Sequence, residues 1–424
     1  MTSGERRSEI GDRRPLSESP TVLGSPVSDL RSQFPMLSRT SRGKPIVYLD
    51  SAASAQKPEA VLDAMNDFYT GSYANIHRGV YEASERASLA YDGTRDTMAR
   101  FLGGVAPEEI VFVRGTTEAI NLVAQSWLRP NLRADDWVLV SEMEHHANIV
   151  PWQLVGARTV PIPVTDGGLL DLEAAERLLA KGPRLLAVVH ASNALGTINP
   201  IVELAAMAHR HGVPVLVDGA QGAVHLPLDL PSLGVDFYCL SGHKLYGPTG
   251  SGVLWARREH LDAMPPWQGG GDMIDRVSFE ATTYAPVPQK FEAGTPDIAA
   301  VIGLDAAAHW VMSLDRDAVA RAEHEAFARG YELLEAVDGV RILSPREPNA
   351  GILTFTLEGA HPHDVASLLD QDGICVRAGH HCTQPLHRRL GVAATVRASV
   401  GVYSTPADFE ALAASLERIR RIFA

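Results

Sequence analysis

Short runs of consecutive apolar residues alternate along this chain with amphipathic stretches. The runs are 109–114 (EIVFVR), 137–141 (WVLVS), 158–164 (RTVPIPV), 184–190 (RLLAVVH), 214–218 (PVLVD), 235–240 (VDFYCL) and 252–256 (GVLWA). Between most of them lie helical patterns such as 117–128, 171–180 and 201–211. Strands that are apolar at every position are covered on both faces, and their alternation with helices predicts an α/β fold built on a mostly parallel sheet. A long helical pattern over 298–314 interrupts this order. Beyond it a strand (351–357), a helix (363–371), two short strands (374–378 and 395–402) and a last helix (406–422) predict a smaller α+β C-terminal domain. Residues 1–26 are rich in Ser, Gly, Pro and charges of both signs, which predicts a flexible tail. The expected division is then a segment 27–50 packing on the small domain, a large domain 51–300 and a small domain 301–424.

Composition narrows the class. The 424 residues are 45% hydrophobic and 21% charged, which is globular. With 38 Lys+Arg against 51 Asp+Glu, the formal charge of −13 argues against a nucleic-acid partner, since phosphate binding needs clustered positive charge. Three cysteines, Cys239, Cys375 and Cys382, are too few for a disulfide framework and fit a reducing compartment. No apolar run approaches the about 18 residues of a membrane span. The pairs Arg6-Arg7 and Arg13-Arg14 are not followed by an apolar core, so no export signal is read from them. The expectation is a cytoplasmic protein with no membrane partner.

In an open parallel sheet, ligands bind beyond the carboxyl ends of the strands. The run 109–114 leads into Gly115-Thr116-Thr117-Glu118 and a helix, a seat for an anion or an ordinary helix cap. The run 137–141 leads to Glu144-His145-His146, the run 214–218 ends on Asp218 followed by Gln221, and the run 235–240 continues as Ser241-Gly242-His243-Lys244. No GxxxxGK[ST] occurs, which excludes a P-loop. A phosphate seat, an imidazole, an acid and a lysine on one sheet edge meet the demands of pyridoxal 5'-phosphate. A lysine amine forms a Schiff base with its aldehyde, an acid pairs with the pyridinium nitrogen, and a flat side chain supports the ring.

The string Ser241-Gly242-His243-Lys244-Leu245-Tyr246-Gly247-Pro248-Thr249-Gly250 resembles the lysine motif of cysteine desulfurases. Tyr48-Leu49-Asp50-Ser51-Ala52-Ala53, Asn75-Ile76-His77-Arg78-Gly79, Phe291-Glu292-Ala293-Gly294-Thr295-Pro296, Arg377-Ala378-Gly379-His380-His381-Cys382 and Arg397-Ala398-Ser399 match as well. The chain is most similar to the SUF-type (SufS) subclass within the class V aminotransferase family. That resemblance implies a fold-type I homodimer with its site at the subunit interface. It also implies conversion of L-cysteine to L-alanine, with an enzyme-bound persulfide passed to a sulfur-acceptor protein of the SufE or SufU kind for iron–sulfur cluster assembly.

By the same resemblance, Lys244 carries the cofactor, Asp218 meets its ring nitrogen, His145 stacks on the ring and Gln221 bonds its phenolate oxygen. Thr116, Thr117, Ser241 and His243 would bind the phosphate, with Thr295 reaching it from the other subunit. Arg397 and Asn193 would hold the substrate carboxylate, with Arg377 nearby, and His77 and Arg78 would approach the neighbouring subunit's site. Cys382 would be the nucleophile, in a loop-like stretch 378–385 where His380 and His381 could favour thiolate. Cys239 and Cys375 interrupt apolar patterns and are expected to be buried. His380, His381, Cys382 and His387 fit no common zinc spacing, so no metal is expected. Alternative functions on the same framework are a selenocysteine lyase, a general aminotransferase and a catalytically silent scaffold.

Overall fold

A computed structural model describes residues 27–423, so the expected tail 1–26 lies outside the described residues. The apolar runs form β1 (Ile110–Val113), β2 (Trp137–Ser141), β3 (Arg158–Ile162), β4 (Leu185–Val189), β5 (Val215–Asp218), β6 (Phe237–Ser241) and β7 (Gly252–Ala256). They make one seven-stranded sheet in the order β1-β7-β6-β5-β4-β2-β3, parallel except for β7, which runs antiparallel to both neighbours. Every residue of β2, β4, β5 and β6 is buried because side chains of both parities face an apolar layer. Val111, Val138 and Leu216 join one cluster, while Phe112, Leu139 and Val217 join the other. The partly exposed strand β3 lies at the edge, where Pro161 is tolerated without a ladder N–H.

Helices α1 (Glu59–Asp67) and α2 (Glu82–Phe101) precede the sheet; α3 (Thr116–Leu122), α4 (Leu172–Leu179) and α5 (Ile201–Arg210) connect its strands. Helix α6 (Ile298–Ser313) is apolar on nearly every side because it packs on α1 and α2 as well as on the sheet layer. The expected boundary at residue 300 falls inside this helix. Its whole length belongs to the packing around the large sheet, and the chain turns at Leu314–Asp315 into α7 (Arg316–Glu335), bent 87° from α6. Helix α7 itself has too many charges to stand out as an apolar pattern.

A four-stranded antiparallel sheet follows: β8 (Val340–Ile342), β9 (Ile352–Leu357), β10 (Arg377–Gly379) and β11 (Thr395–Ser399), in the order β8-β9-β11-β10. Helices α8 (Pro362–Asp370) and α10 (Pro406–Phe423) join α7 on one face around Phe327, Phe355, Leu369 and Phe409; the short α9 (Gln384–Arg389) leads from β10 toward β11. The expected strand 374–378 is split. Ile374–Cys375 pairs in parallel with Val47–Tyr48, whereas Arg377–Gly379 pairs with β11.

Segment 27–50 touches both parts of the molecule. Phe34 packs edge-on against Trp310 and Tyr403, and Arg31 donates to the Tyr403 and Ile46 carbonyls at 3.0 and 2.8 Å. Among the described residues no single helix is long and apolar enough to cross a membrane.

Helix α7 meets α10 at Gly330, where a Cβ would stand 2.3 Å from a Phe409 ring carbon. Gly330→Ala is therefore expected to destabilise the chain by on the order of 1–3 kcal/mol through overpacking. A lowered urea midpoint at unchanged slope is the measurement.

Candidate active site

The carboxyl ends of the parallel strands open into one cavity of about 540 Å³. Its walls carry Thr116, Thr117, His145, Asn193, Asp218, Gln221, Ser241, His243 and Lys244 from the large sheet, and Arg377, Cys382 and Arg397 from the smaller one. Twelve of the fifteen residues singled out from sequence thus meet in one place. The other three do not: Gly294 and Pro296, on either side of the exposed Thr295, line a second cavity of about 520 Å³ together with His77 and Arg78.

Several wall residues are held by hydrogen bonds around the strand ends. Gly115 (φ +153°) precedes α3, and without a Cβ it lets Ser241 approach; the Ser241 hydroxyl accepts the Thr116 N–H and donates to Thr116 Oγ1, both at 2.9 Å. Asp218, last residue of β5, is buried, and its Oδ1 accepts the Ala220 N–H at 3.0 Å. Burial pushes its acidity weaker, opposed by that bond and by Lys244. Burial also pulls Lys244 down to about 8, so near neutral pH a useful fraction of the amine is free. His145 is pulled down to about 4, by burial first and then by Lys244. Its Nδ1 accepts the Ala147 N–H at 3.0 Å, which leaves the ring's proton on Nε2. The Gln221 amide donates to the Ala52 carbonyl at 2.7 Å. The His243 carbonyl accepts the Lys57 ammonium at 2.9 Å.

Arg397 sits in β11 rather than on a surface strand, and it is 2% exposed. Its Nη1 donates to the Asn193 carbonyl at 2.7 Å, its Nη2 to Asp50 Oδ1 at 3.2 Å, and its Nε has no partner. In the sheet register Arg377 lies directly beside Arg397, a like-charge pair that would repel. The Asp50 carboxylate bridges them, taking Arg377 through Nε and Nη2. Asn193 lines the cavity as expected; one amide N–H holds the His381 carbonyl at 2.7 Å, and its Oδ1 is buried without a partner.

Cys382 is exposed at the mouth of the cavity. His381 and Cys382 both adopt left-handed backbone, at φ +50° and +56°. Such residues cost of order 1–3 kcal/mol each unless the surroundings hold them. Here the Asn193 amide and the His146 N–H, at 2.8 Å to the Cys382 carbonyl, do so. The expected help from His381 does not arise. It is buried with Nε2 on Thr395 Oγ1, and burial drives it down to about 2, so it is neutral. The cations whose charge interacts with the Cys382 sulfur are Lys244, Arg377 and Arg397. Cys239 is buried as expected, whereas Cys375 is only partly so because its strand lies at an edge.

Sequence reading missed the roles of Asp50 and Glu144. Asp50 follows the apolar Val47–Leu49, the only signal that a strand end positions it. Glu144 is fully buried, bonded by Ser141, Asn148 and the Val189 N–H, and pushed up to about 8 by burial.

The donor set fits pyridoxal phosphate. A partly discharged lysine and a buried acid share the cavity, hydroxyls of Thr116, Thr117 and Ser241 stand at a helix start, and the buried Arg397 Nε is unpaired.

Comparisons with known proteins agree with this geometry. The sequence pattern of the family described as aminotransferase class-V matches residues 47–412. A cysteine desulfurase of Klebsiella pneumoniae is 48% identical over 401 residues, covering 93% of this chain and 98% of its own. A probable cysteine desulfurase of Vibrio cholerae is 46% identical over 393 residues, covering 92% and 97%. The crystal structure of the cysteine desulfurase CsdA from Escherichia coli superposes with a TM-score of 0.88 at 40% identity, covering 95% of this chain and 100% of that one.

Histidines 145, 190, 243 and 381 are all held neutral by burial, at about 4, 4, 4 and 2. In the unfolded chain each titrates near 6.5, so below that pH the unfolded state binds more protons. The contribution of these histidines to stability is expected in full above pH 6.5 and to fall as pH drops toward 4, by at most about 1.4 kcal/mol per pH unit for each histidine. Urea midpoints measured across this range test the slope, and a flat profile contradicts it.

Proposed function

The chain belongs to the aminotransferase class-V family, and on that footing we propose that it is a pyridoxal-phosphate-dependent cysteine desulfurase. One observation carries this reading: the exposed Cys382 stands at the mouth of the cavity that also holds Lys244, Asp218, His145 and Arg397. A transaminating enzyme needs no such thiol. The relatives compared above are cysteine desulfurases, and nothing in the site favours a selenocysteine substrate.

Pyridoxal phosphate, when bound, supplies an electrophilic carbonyl and a ring that weakens bonds at the substrate's α-carbon. Lys244 would hold it, with Asp218 at the ring nitrogen, His145 at the ring face, and Thr116, Thr117, Ser241 and His243 at the phosphate. The Arg397 guanidinium, already fixed by Asp50 and Asn193, would hold the substrate carboxylate, and Arg377 would add charge at the mouth. With its acidity near 8, the Lys244 Nζ accepts the α-proton in neutral solution.

The Cys382 thiolate then attacks the substrate sulfur. An S–S bond forms and the carbon–sulfur bond breaks, its electron pair staying with the carbon fragment, which takes up a proton and leaves as alanine. The net change is L-cysteine plus the Cys382 thiol giving L-alanine plus the Cys382 persulfide, with no external oxidant.

The finer features are part of the same proposal. The chain acts as a cytoplasmic homodimer of the SUF type, its persulfide passing to an acceptor of the SufE or SufU kind for iron–sulfur assembly. The exposed Val80, Tyr81, Phe279 and Tyr284, close in sequence to the second-cavity residues His77, Arg78 and Asp272, support a second copy there. The short loop after His381 supports reliance on a dedicated acceptor.

Cys382→Ser is expected to retain the cofactor's visible band yet form no alanine from L-cysteine, and to lack the adduct of about 32 Da that one sulfur atom adds to the native protein. Alanine formation at the native rate by this variant contradicts the persulfide step. Lys244→Ala is expected to lose the visible band of the lysine-bound cofactor, read by absorption. Arg397→Lys is expected to lower kcat/KM for L-cysteine by about 10- to 100-fold, the loss of a charge-assisted hydrogen bond.

A further inference from the structure

Within the cavity, His146 is assigned no part by the reading above, yet it bonds to the nucleophile's loop twice, at Cys382 itself and two residues beyond it. Its backbone N–H donates to the Cys382 carbonyl at 2.8 Å, and its ring Nε2 accepts the Gln384 N–H at 3.1 Å. The loop's own bond, the Thr383 N–H to the His380 carbonyl at 2.8 Å, closes a single turn. A turn with two consecutive left-handed residues at 381 and 382 does not hold its shape unaided, because L side chains disfavour that backbone. Apart from His146, the hold on its peptide groups from the large sheet is the Asn193 amide on the His381 carbonyl.

We infer that His146 is a positioning residue for the desulfuration step, its ring acting as a latch that keeps the Cys382 loop docked at the cavity mouth. This inference rests on the cysteine desulfurase reading. The ring accepts a hydrogen bond, so it works in the neutral form, which burial and the nearby His380 favour. Because His145 and His146 are adjacent, a single turn after β2 places one imidazole in the cavity wall and the other against the thiol loop. The two His146 bonds fix the loop at Cys382 and Gln384, and breaking the ring bond is expected to free the start of α9 without disturbing Asp218 or Lys244.

The test uses the holoenzyme and its variants His146→Ala and His146→Gln; the Gln amide oxygen can again accept the Gln384 N–H. Three quantities are read: the rate of Cys382 alkylation by iodoacetamide, followed by peptide mass; deuterium uptake of the peptide spanning 377–390; and kcat and KM for alanine formation from L-cysteine. For the alanine variant the expected result is faster alkylation and faster uptake. Its kcat should be lower by about tenfold, the worth of one hydrogen bond, with KM within about twofold. The cofactor's visible band should be unchanged, and the glutamine variant should move every value back toward native. Native alkylation, uptake and kcat in the alanine variant overturn the latch. So does a loss that glutamine does not restore, or one accompanied by loss of the visible band. If the alanine variant fails to fold, His146→Asn, whose amide is too short to reach Gln384, is held to the same outcomes. Alkylation and deuterium uptake require no turnover, so native protein that forms no alanine contradicts the desulfurase reading separately from the latch.

Discussion

The guanidinium of Arg397 is a full positive charge in the interior, bonded to the Asp50 carboxylate and the Asn193 carbonyl, and much of the site is arranged around it. A buried charge is costly unless paired and hydrogen-bonded, so the surroundings of Arg397 have little freedom. Asp50 must lie where it can meet the guanidinium, and its backbone does so by bridging to Ser399 of the same strand. Asn193 must bring its carbonyl from the end of the large sheet. One side chain of the smaller sheet thereby joins both sheets across the cavity, with its Nε left buried and unpaired. Arg377 is drawn into the same arrangement through Asp50, which cancels the repulsion that their cross-strand register creates.

The loop carrying Cys382 obeys a second constraint. Its left-handed residues are held by the turn's own bond, by His381 on Thr395, and by bonds reaching in from the large sheet, from Asn193 to one carbonyl and from His146 to the next. The thiol is thus exposed to solvent while its backbone is tethered to the wall that bears His145. An exposed sulfur on a tethered loop combines access from solvent with a fixed position beside the cavity. The charges around it come from lysine and arginine, since the adjacent His381 is buried, neutral and engaged with Thr395. Burial acts on both basic groups of the wall in the same direction: it pulls Lys244 down to about 8 and keeps the His145 ring neutral at physiological pH.

Much of the fold and most of the cavity wall were legible because strands buried on both faces leave uninterrupted apolar runs, and the residue after such a run falls on the sheet's carboxyl edge. That logic reached Thr116, His145, Asp218, Ser241 and Lys244 without any coordinates. It failed where amphipathic or charged helices, such as Arg316–Glu335, gave no apolar run, and where one apparent strand at 374–378 proved to be two edges pairing with different partners. The contacts of Asp50 and His146 were out of reach for a different reason, since each bonds to residues more than two hundred positions away. Periodicity along the chain was enough for the large sheet's strands and for the residue types at their carboxyl ends, because alternation of apolar and polar positions and chain direction are local properties. Which arginine is buried, which histidines are neutral and what holds the thiol loop were decided only by the tertiary structure, because desolvation and hydrogen-bond pairing depend on groups that meet only when the two sheets close over one cavity.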